Sequence, residues 1–203
     1  MHERLELDQL VADVATAFST ADSRKPAWVS RTGRQYQAGI GPHAEDAAIA
    51  LMLDELRQGE PYASISCGQF LPYPDAPRQK CDLWLGEPPQ WVAEVKMARF
   101  KGDNGKLDDT ALKDLLSPYE GDRSALTDTV KLARSSLPGS KAMLIYGFEF
   151  ADKPLEPAID AFETLARQRV PLGPRLEAQM GGLVHPVHSV GVVFGWEIEA
   201  ESS

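Results

Sequence analysis

Residues 81–97 read Cys81-Asp82-Leu83-Trp84-Leu85-Gly86-Glu87-Pro88-Pro89-Gln90-Trp91-Val92-Ala93-Glu94-Val95-Lys96-Met97. Two short apolar runs flank a Gly-Glu-Pro-Pro-Gln turn, and each carries charge where a buried strand normally has none. Asp82 opens the first run, and Glu94 and Lys96 sit inside the second. Side chains of a strand alternate between faces, so Glu94 and Lys96 share one face and Val95 points into the opposite layer. A turn centred on Pro88 sets Leu85 opposite Trp91 and Asp82 opposite Glu94. Directly opposed residues bring their Cβ atoms to about 5 Å. Two carboxylates that close repel unless a cation stands between them, and the Lys96 ammonium lies on the same strand face. The pair is a candidate metal site with a lysine beside it.

Asp82, followed after eleven residues by Glu94-Val95-Lys96, resembles the PD-(D/E)xK nuclease superfamily, the fold of many restriction endonucleases and Holliday-junction resolvases. The resemblance covers the strand pair and its flanking helices, roughly residues 40–150. One departure is visible: Cys81 stands where the superfamily pattern has proline. Glu94-Val95-Lys96 is the only acid-x-Lys in the chain, and it lies in a strand-like segment. The alternative reading of the same residues is a solvated edge strand with an ordinary cross-strand ion pair. The resemblance implies a restriction-endonuclease-like three-layer α/β/α fold with a mixed central sheet and metal-dependent cleavage of DNA. Asp82, Glu94 and the Val95 carbonyl would then offer hard oxygen ligands to Mg²⁺ or Mn²⁺. Lys96 would orient or deprotonate the attacking water, or offset phosphate charge.

A third carboxylate is sought on the helix expected over about residues 43–58, which Pro42 precedes and Gly59 follows. Its apolar stripe of Ile49, Met52 and Leu56, extended one turn back, reaches Glu45 rather than Asp46. An unpaired charge on a core-facing stripe is costly, and in the superfamily a glutamate of the first helix often joins the metal site. Glu45 is therefore the first candidate and Asp46 the second, although a helix N-terminus also favours acidic residues on electrostatic grounds alone.

The 203 residues suit one domain, with a core at about 40–150, an N-terminal helix within 1–26 and a frayed tail at 199–203. Hydrophobic content of 43% and charged content of 25% are ordinary for a globular protein. No apolar run approaches the ~18 residues of a spanning helix. The first residues are too charged for a signal peptide, and Cys67 and Cys81 are too few for a disulfide framework. These features lead to an expectation of a cytoplasmic protein with reduced thiols and no membrane partner. The net charge of −9 argues against a protein that clamps long DNA through a basic surface. A carboxylate site that relies on divalent cations remains compatible with it.

Elsewhere, helices are expected over 4–20, 110–117, 122–137 and 155–169, with a further helical piece at 175–180. Strands are expected over 62–73 with a bulge at Gly68, and over 80–85, 91–100, 141–150 and 187–198. Arg31 and Arg34, interleaved with Trp28 and Tyr36, are candidate nucleic-acid contacts, or else a solvated loop with two core aromatics. Lys101 and Lys106, in the Gly/Asp/Asn-rich loop after the third strand, and Lys131, on the next long helix, are the other phosphate-contact candidates. The loop reads equally as a cover over substrate or as plain surface. His185 and His188 flank Pro186 and lack a nearby carboxylate cluster in sequence, which argues against a zinc pair. DNA is the expected partner, and homodimerisation would supply two active sites for the two strands of a duplex. The competing reading is a catalytically silent nuclease fold that recruits or inhibits a protein partner.

Overall fold

The computed structural model describes residues 5–199. In chain order the elements are α1 (Leu7–Arg24), β1 (Trp28–Val29), β2 (Gln35–Tyr36), α2 (Glu45–Leu56), β3 (Cys67–Gly68), β4 (Leu71–Tyr73), β5 (Ala76–Cys81), β6 (Leu83–Leu85), β7 (Trp91–Ala98), α3 (Ala111–Leu116), α4 (Ala125–Arg134), β8 (Ser140–Phe148), α5 (Glu156–Arg167), β9 (Leu176–Met180) and β10 (Gly191–Ile198). Six strands form a mixed sheet in the order β3-β6-β7-β8-β10-β9. Only β7 and β8 run parallel, joined by a crossover through α3 and α4, while the other pairs are antiparallel.

Alternation along the central strands builds two apolar layers. Trp91, Ala93 and Val95 of β7 pack with Leu144 and Tyr146 of β8 under α1 and α2. Val92 and Ala98 join Met143 and Ile145 under α3, α4 and α5. Helices therefore cover both faces of the sheet. No helix among the described residues is long and apolar enough to cross a membrane.

The register of β6 and β7 matches the expectation from the turn: Leu85 pairs with Trp91, Trp84 with Val92 and Leu83 with Ala93. The strand expected at 80–85 is broken in two. Its first part is β5, paired with β4 as a separate hairpin, and its second part is β6 in the main sheet. Asp82 is the residue at which the chain passes from one sheet to the other. The segment at 62–73 is likewise not one strand: a 3₁₀ turn at Tyr62–Ser64 precedes β3 and β4.

Two further expectations are corrected. Helix α1 runs past residue 20 to Arg24, because the Ser19 and Thr20 hydroxyls fold back onto the carbonyls of Ala15 and Thr16. One turn later, buried Asp22 accepts hydrogen bonds from the Ile40 and Val184 amides, which ties α1 to both loops. The piece at 175–180 is strand β9, not helix. Leu176, Ala178 and Met180 face the α1 layer, and Glu177 and Gln179 alternate outward with the period of a strand. The tail at 200–203 lies outside the described residues.

Candidate active site

The break at Asp82 sets the geometry of the site. Leaving the β4–β5 hairpin, the chain turns Asp82 towards β7, and its Oδ2 accepts a hydrogen bond from the Val95 amide at 2.9 Å. Val95 itself buries its side chain in the α1/α2 layer. Glu94, on the other face, is 2% exposed and receives the Tyr73 hydroxyl and, at 2.8 Å, the Lys131 ammonium. Lys96 stands 3.1 Å from Asp128 and 3.4 Å from Glu45, and donates to the Arg123 carbonyl at 3.1 Å. Glu45, the first residue of α2, also accepts the Met97 amide at 2.6 Å. Asp128 links the two lysines, since it bonds Lys131 at 2.7 Å as well as Lys96.

Four carboxylates (Glu45, Asp82, Glu94, Asp128) thus meet two ammoniums (Lys96, Lys131) at one end of β7. With every group ionised, the cluster carries four negative charges against two positive ones. Glu45, Glu94, Lys96 and Lys131 all titrate above their ordinary values. Burial pushes the Glu94 carboxyl well above the usual carboxylate range, and Asp82 and Asp128 push it in the same direction, with Lys131 opposing. Burial also raises Glu45, although Lys96 and the Met97 amide oppose it. Burial works against the Lys96 ammonium, but Glu45 and Asp128 outweigh it and hold the lysine charged far into the alkaline range. Lys131 is raised in the same way by Glu94 and Asp128 against its burial.

The backbone contributes at Arg123, which takes the left-handed conformation at φ 50° and ψ 45°. A non-glycine residue there costs on the order of 1 kcal/mol. In that conformation its carbonyl receives Lys96 while the exposed Arg123 side chain turns outward. The structure therefore brings together Glu45, Asp82, Glu94, Val95, Lys96 and Lys131 of the residues singled out from sequence. Asp46 is exposed, with its carboxylate on the Ala47 amide, and does not join them.

The other phosphate-contact candidates stand apart. Lys101 is held by Asp152 at 2.6 Å, and Lys106 is exposed on the same loop. That loop is closed by the Lys101–Leu107 bridge and tied down where Asp103 meets His185 Nε2 at 2.8 Å. His185 Nδ1 accepts the Val187 and His188 amides, and His188 Nε2 lies 2.9 Å from the Lys101 carbonyl, so both histidines serve loop packing. Arg31 is exposed near the β1–β2 hairpin. Arg34 lies over the Tyr36 ring, which stacks on Trp28. Among the described residues, neither arginine contacts the carboxylates.

Sequence reasoning missed Asp128 and Tyr73. Asp128 was concealed because the stripe Leu126, Val130, Ala133 and Leu137 lies one position off the buried face. That face is Ala125, Leu126, Asp128, Thr129 and Leu132. The Ser124 cap, whose side chain accepts the Thr127 amide, starts the helix later than the stripe suggests. Tyr73 reaches Glu94 from the separate hairpin, a non-local contact with no local signal.

No protein-family model, curated protein or solved structure matches the chain.

Proposed function

We propose that this chain is a metal-dependent nuclease of the PD-(D/E)xK, restriction-endonuclease-like type, hydrolysing DNA phosphodiester bonds. The observation that carries the reading is the convergence of Asp82, Glu94, Lys96 and Glu45 from three separate elements on one end of β7. With every group ionised, a largely buried cluster carrying two surplus negative charges is costly to maintain, and a divalent cation would supply the charge it lacks. The donors fit such an ion: Asp82 at the β5–β6 break and Glu94 on β7 offer hard carboxylate oxygens, and Mg²⁺ is commonly bound by one or two carboxylates plus water.

A bound divalent ion would acidify water and draw charge from the scissile phosphate. The remaining chemistry falls to the chain itself. Lys96, held charged between Glu45 and Asp128, would offer its positive charge to an attacking water or to the phosphate. Glu45 fixes that lysine and is itself fixed by the Met97 amide. Tyr73 and Lys131 hold the Glu94 carboxylate in one orientation.

A second reading has a specific observation in its favour. Lys131 already neutralises Glu94, and the chain is acidic overall, as a catalytically silent fold that binds a protein partner would tolerate. Incubation of purified protein with supercoiled, branched and single-stranded DNA and with RNA, in Mg²⁺ or Mn²⁺, decides between them. Cleavage that Asp82→Asn abolishes is the expected result. Failure to cleave any of these substrates, with metal bound, gives the chain to the second reading.

A further inference from the structure

A cleft of about 770 Å³ opens directly beside the carboxylates and shares Tyr73 and Lys131 with them. The β4–β5 hairpin forms one wall through Tyr73, Asp75 and Gln79, and α4 forms the other through Thr127, Lys131 and Arg134. Arg169, just past α5, closes one end. Several cations of this acidic chain are spent on carboxylates, as Arg24, Arg167 and Arg175 show. Arg134 and Arg169 are the guanidiniums that line the cleft: both are exposed, and neither side chain makes a hydrogen bond or ion pair among the described residues. Next to the lining residues Pro118 and Glu120 stands Tyr119, 74% exposed and the most exposed large aromatic of the described chain.

We infer that this cleft binds a single polynucleotide strand, with Arg134 and Arg169 on its phosphates and Tyr119 stacked on a base at the rim. The inference rests on the nuclease reading for the identity of its ligand. Three arguments favour one strand over a duplex. Two free guanidiniums match a short run of phosphates, not the long basic track of a duplex binder. A duplex also carries twice the charge per unit length of either of its strands, and so meets twice the repulsion from a chain of net charge −9. An exposed aromatic beside a cationic groove is the arrangement that grips unpaired bases regardless of sequence.

The test measures binding apart from cleavage. Fluorescence anisotropy with a labelled short DNA oligonucleotide in EDTA is expected to show tighter binding of the single strand than of the duplex of equal length. Arg134→Ala/Arg169→Ala should weaken it at least about tenfold and flatten the log K against log salt slope by about 1.4, at ~0.7 per phosphate contact. Tyr119→Ala should weaken it about fivefold or more. All three side chains are exposed, and circular dichroism checks that the variants fold. Unchanged affinity and slope in the double variant, equal or tighter duplex binding, a mononucleotide that binds as tightly as the oligonucleotide, or no measurable binding by wild type would each overturn the inference. Arginine-dependent binding without cleavage in metal would defeat the nuclease reading and leave the cleft standing. Cleavage of single strands unaffected by the double substitution would do the reverse.

Discussion

The Lys131 ammonium lies 2.8 Å from the Glu94 carboxylate and 2.7 Å from that of Asp128, one turn earlier on the same helix. Glu94 is almost fully buried, so this lysine is the main positive charge acting on it. Helix α4 is thereby joined electrostatically to β7, the strand that carries the rest of the site. The same contact holds a positive charge at the boundary between the carboxylates and the cleft.

Removing that charge leaves a buried carboxylate without its cation. Lys131→Met is expected to destabilise the protein by about 2–3 kcal/mol at pH 8, at or below the low end of the ~3–5 kcal/mol for breaking a buried pair, because Lys131 is partly exposed. The loss should shrink at pH 5, where Glu94, already raised by burial, takes up a proton and no longer needs a partner. Urea denaturation of both proteins at the two pH values measures it. A loss independent of pH would assign the effect to packing of the lysine stem against Tyr73 instead.

Divalent cations should stabilise the folded chain by mass action. Mg²⁺ or Mn²⁺ is expected to raise the melting temperature of wild type, and Asp82→Asn should abolish the rise. Without metal, Asp82→Asn should be as stable as wild type or more so. It removes one of four clustered negative charges, and the asparagine carbonyl can still accept the Val95 amide. Scanning calorimetry over a metal series reads both effects. An equal response in the two proteins would place metal binding elsewhere.

The parts of the site legible in sequence are those fixed by local rules. Alternation and a short turn set the β6–β7 register, and that register delivers Asp82, one residue before its last pair, beside Glu94 and Val95. Helical periodicity carried Glu45 inward along the stripe of Ile49, Met52 and Leu56. Asp128 was hidden because buried Thr129 and Asp128 interrupt the apolar face of α4, so an all-apolar stripe points one position away. Tyr73 depends on how a separate hairpin packs against the sheet, which no local pattern encodes. Strand β9 failed for another reason: its short run after Pro171 and Pro174 has strand alternation but was read with helical period.

Glu94 also gives the protein a pH signature. Its folded-state carboxyl is raised above the unfolded value, so the folded state holds the extra proton and stability is lost as pH rises from about 4.5 through the folded pKa. Glu94→Gln cannot ionise and should lack this loss. The stability of wild type relative to Glu94→Gln is therefore expected to fall between pH 5 and pH 8, by at most about 1.4 kcal/mol per pH unit for one proton. The raised Lys96 and Lys131 do not blur this window. Their stabilisation is present throughout it and is lost only above the ordinary lysine range. Parallel titration curves for the two proteins would remove Glu94 as the source.

Under the nuclease reading, Lys96 should separate chemistry from metal binding. Its ammonium is fixed by Glu45, Asp128 and the Arg123 carbonyl, three acceptors that hold it protonated and so leave its nitrogen no lone pair for a metal. Charge pre-positioned towards a developing anion is worth on the order of 3–4 kcal/mol in comparable sites. Lys96→Ala should therefore cut the rate of DNA cleavage by roughly a hundredfold to a thousandfold. The metal-induced rise in melting temperature should survive, because the lysine is not a ligand and its loss makes the cluster more negative still. Rate measurements on the substrate that wild type cleaves fastest, paired with melting curves in Mn²⁺, give both readouts. Loss of the melting response together with the rate would make Lys96 a structural support of the carboxylates, and an unchanged rate would take it out of the chemistry.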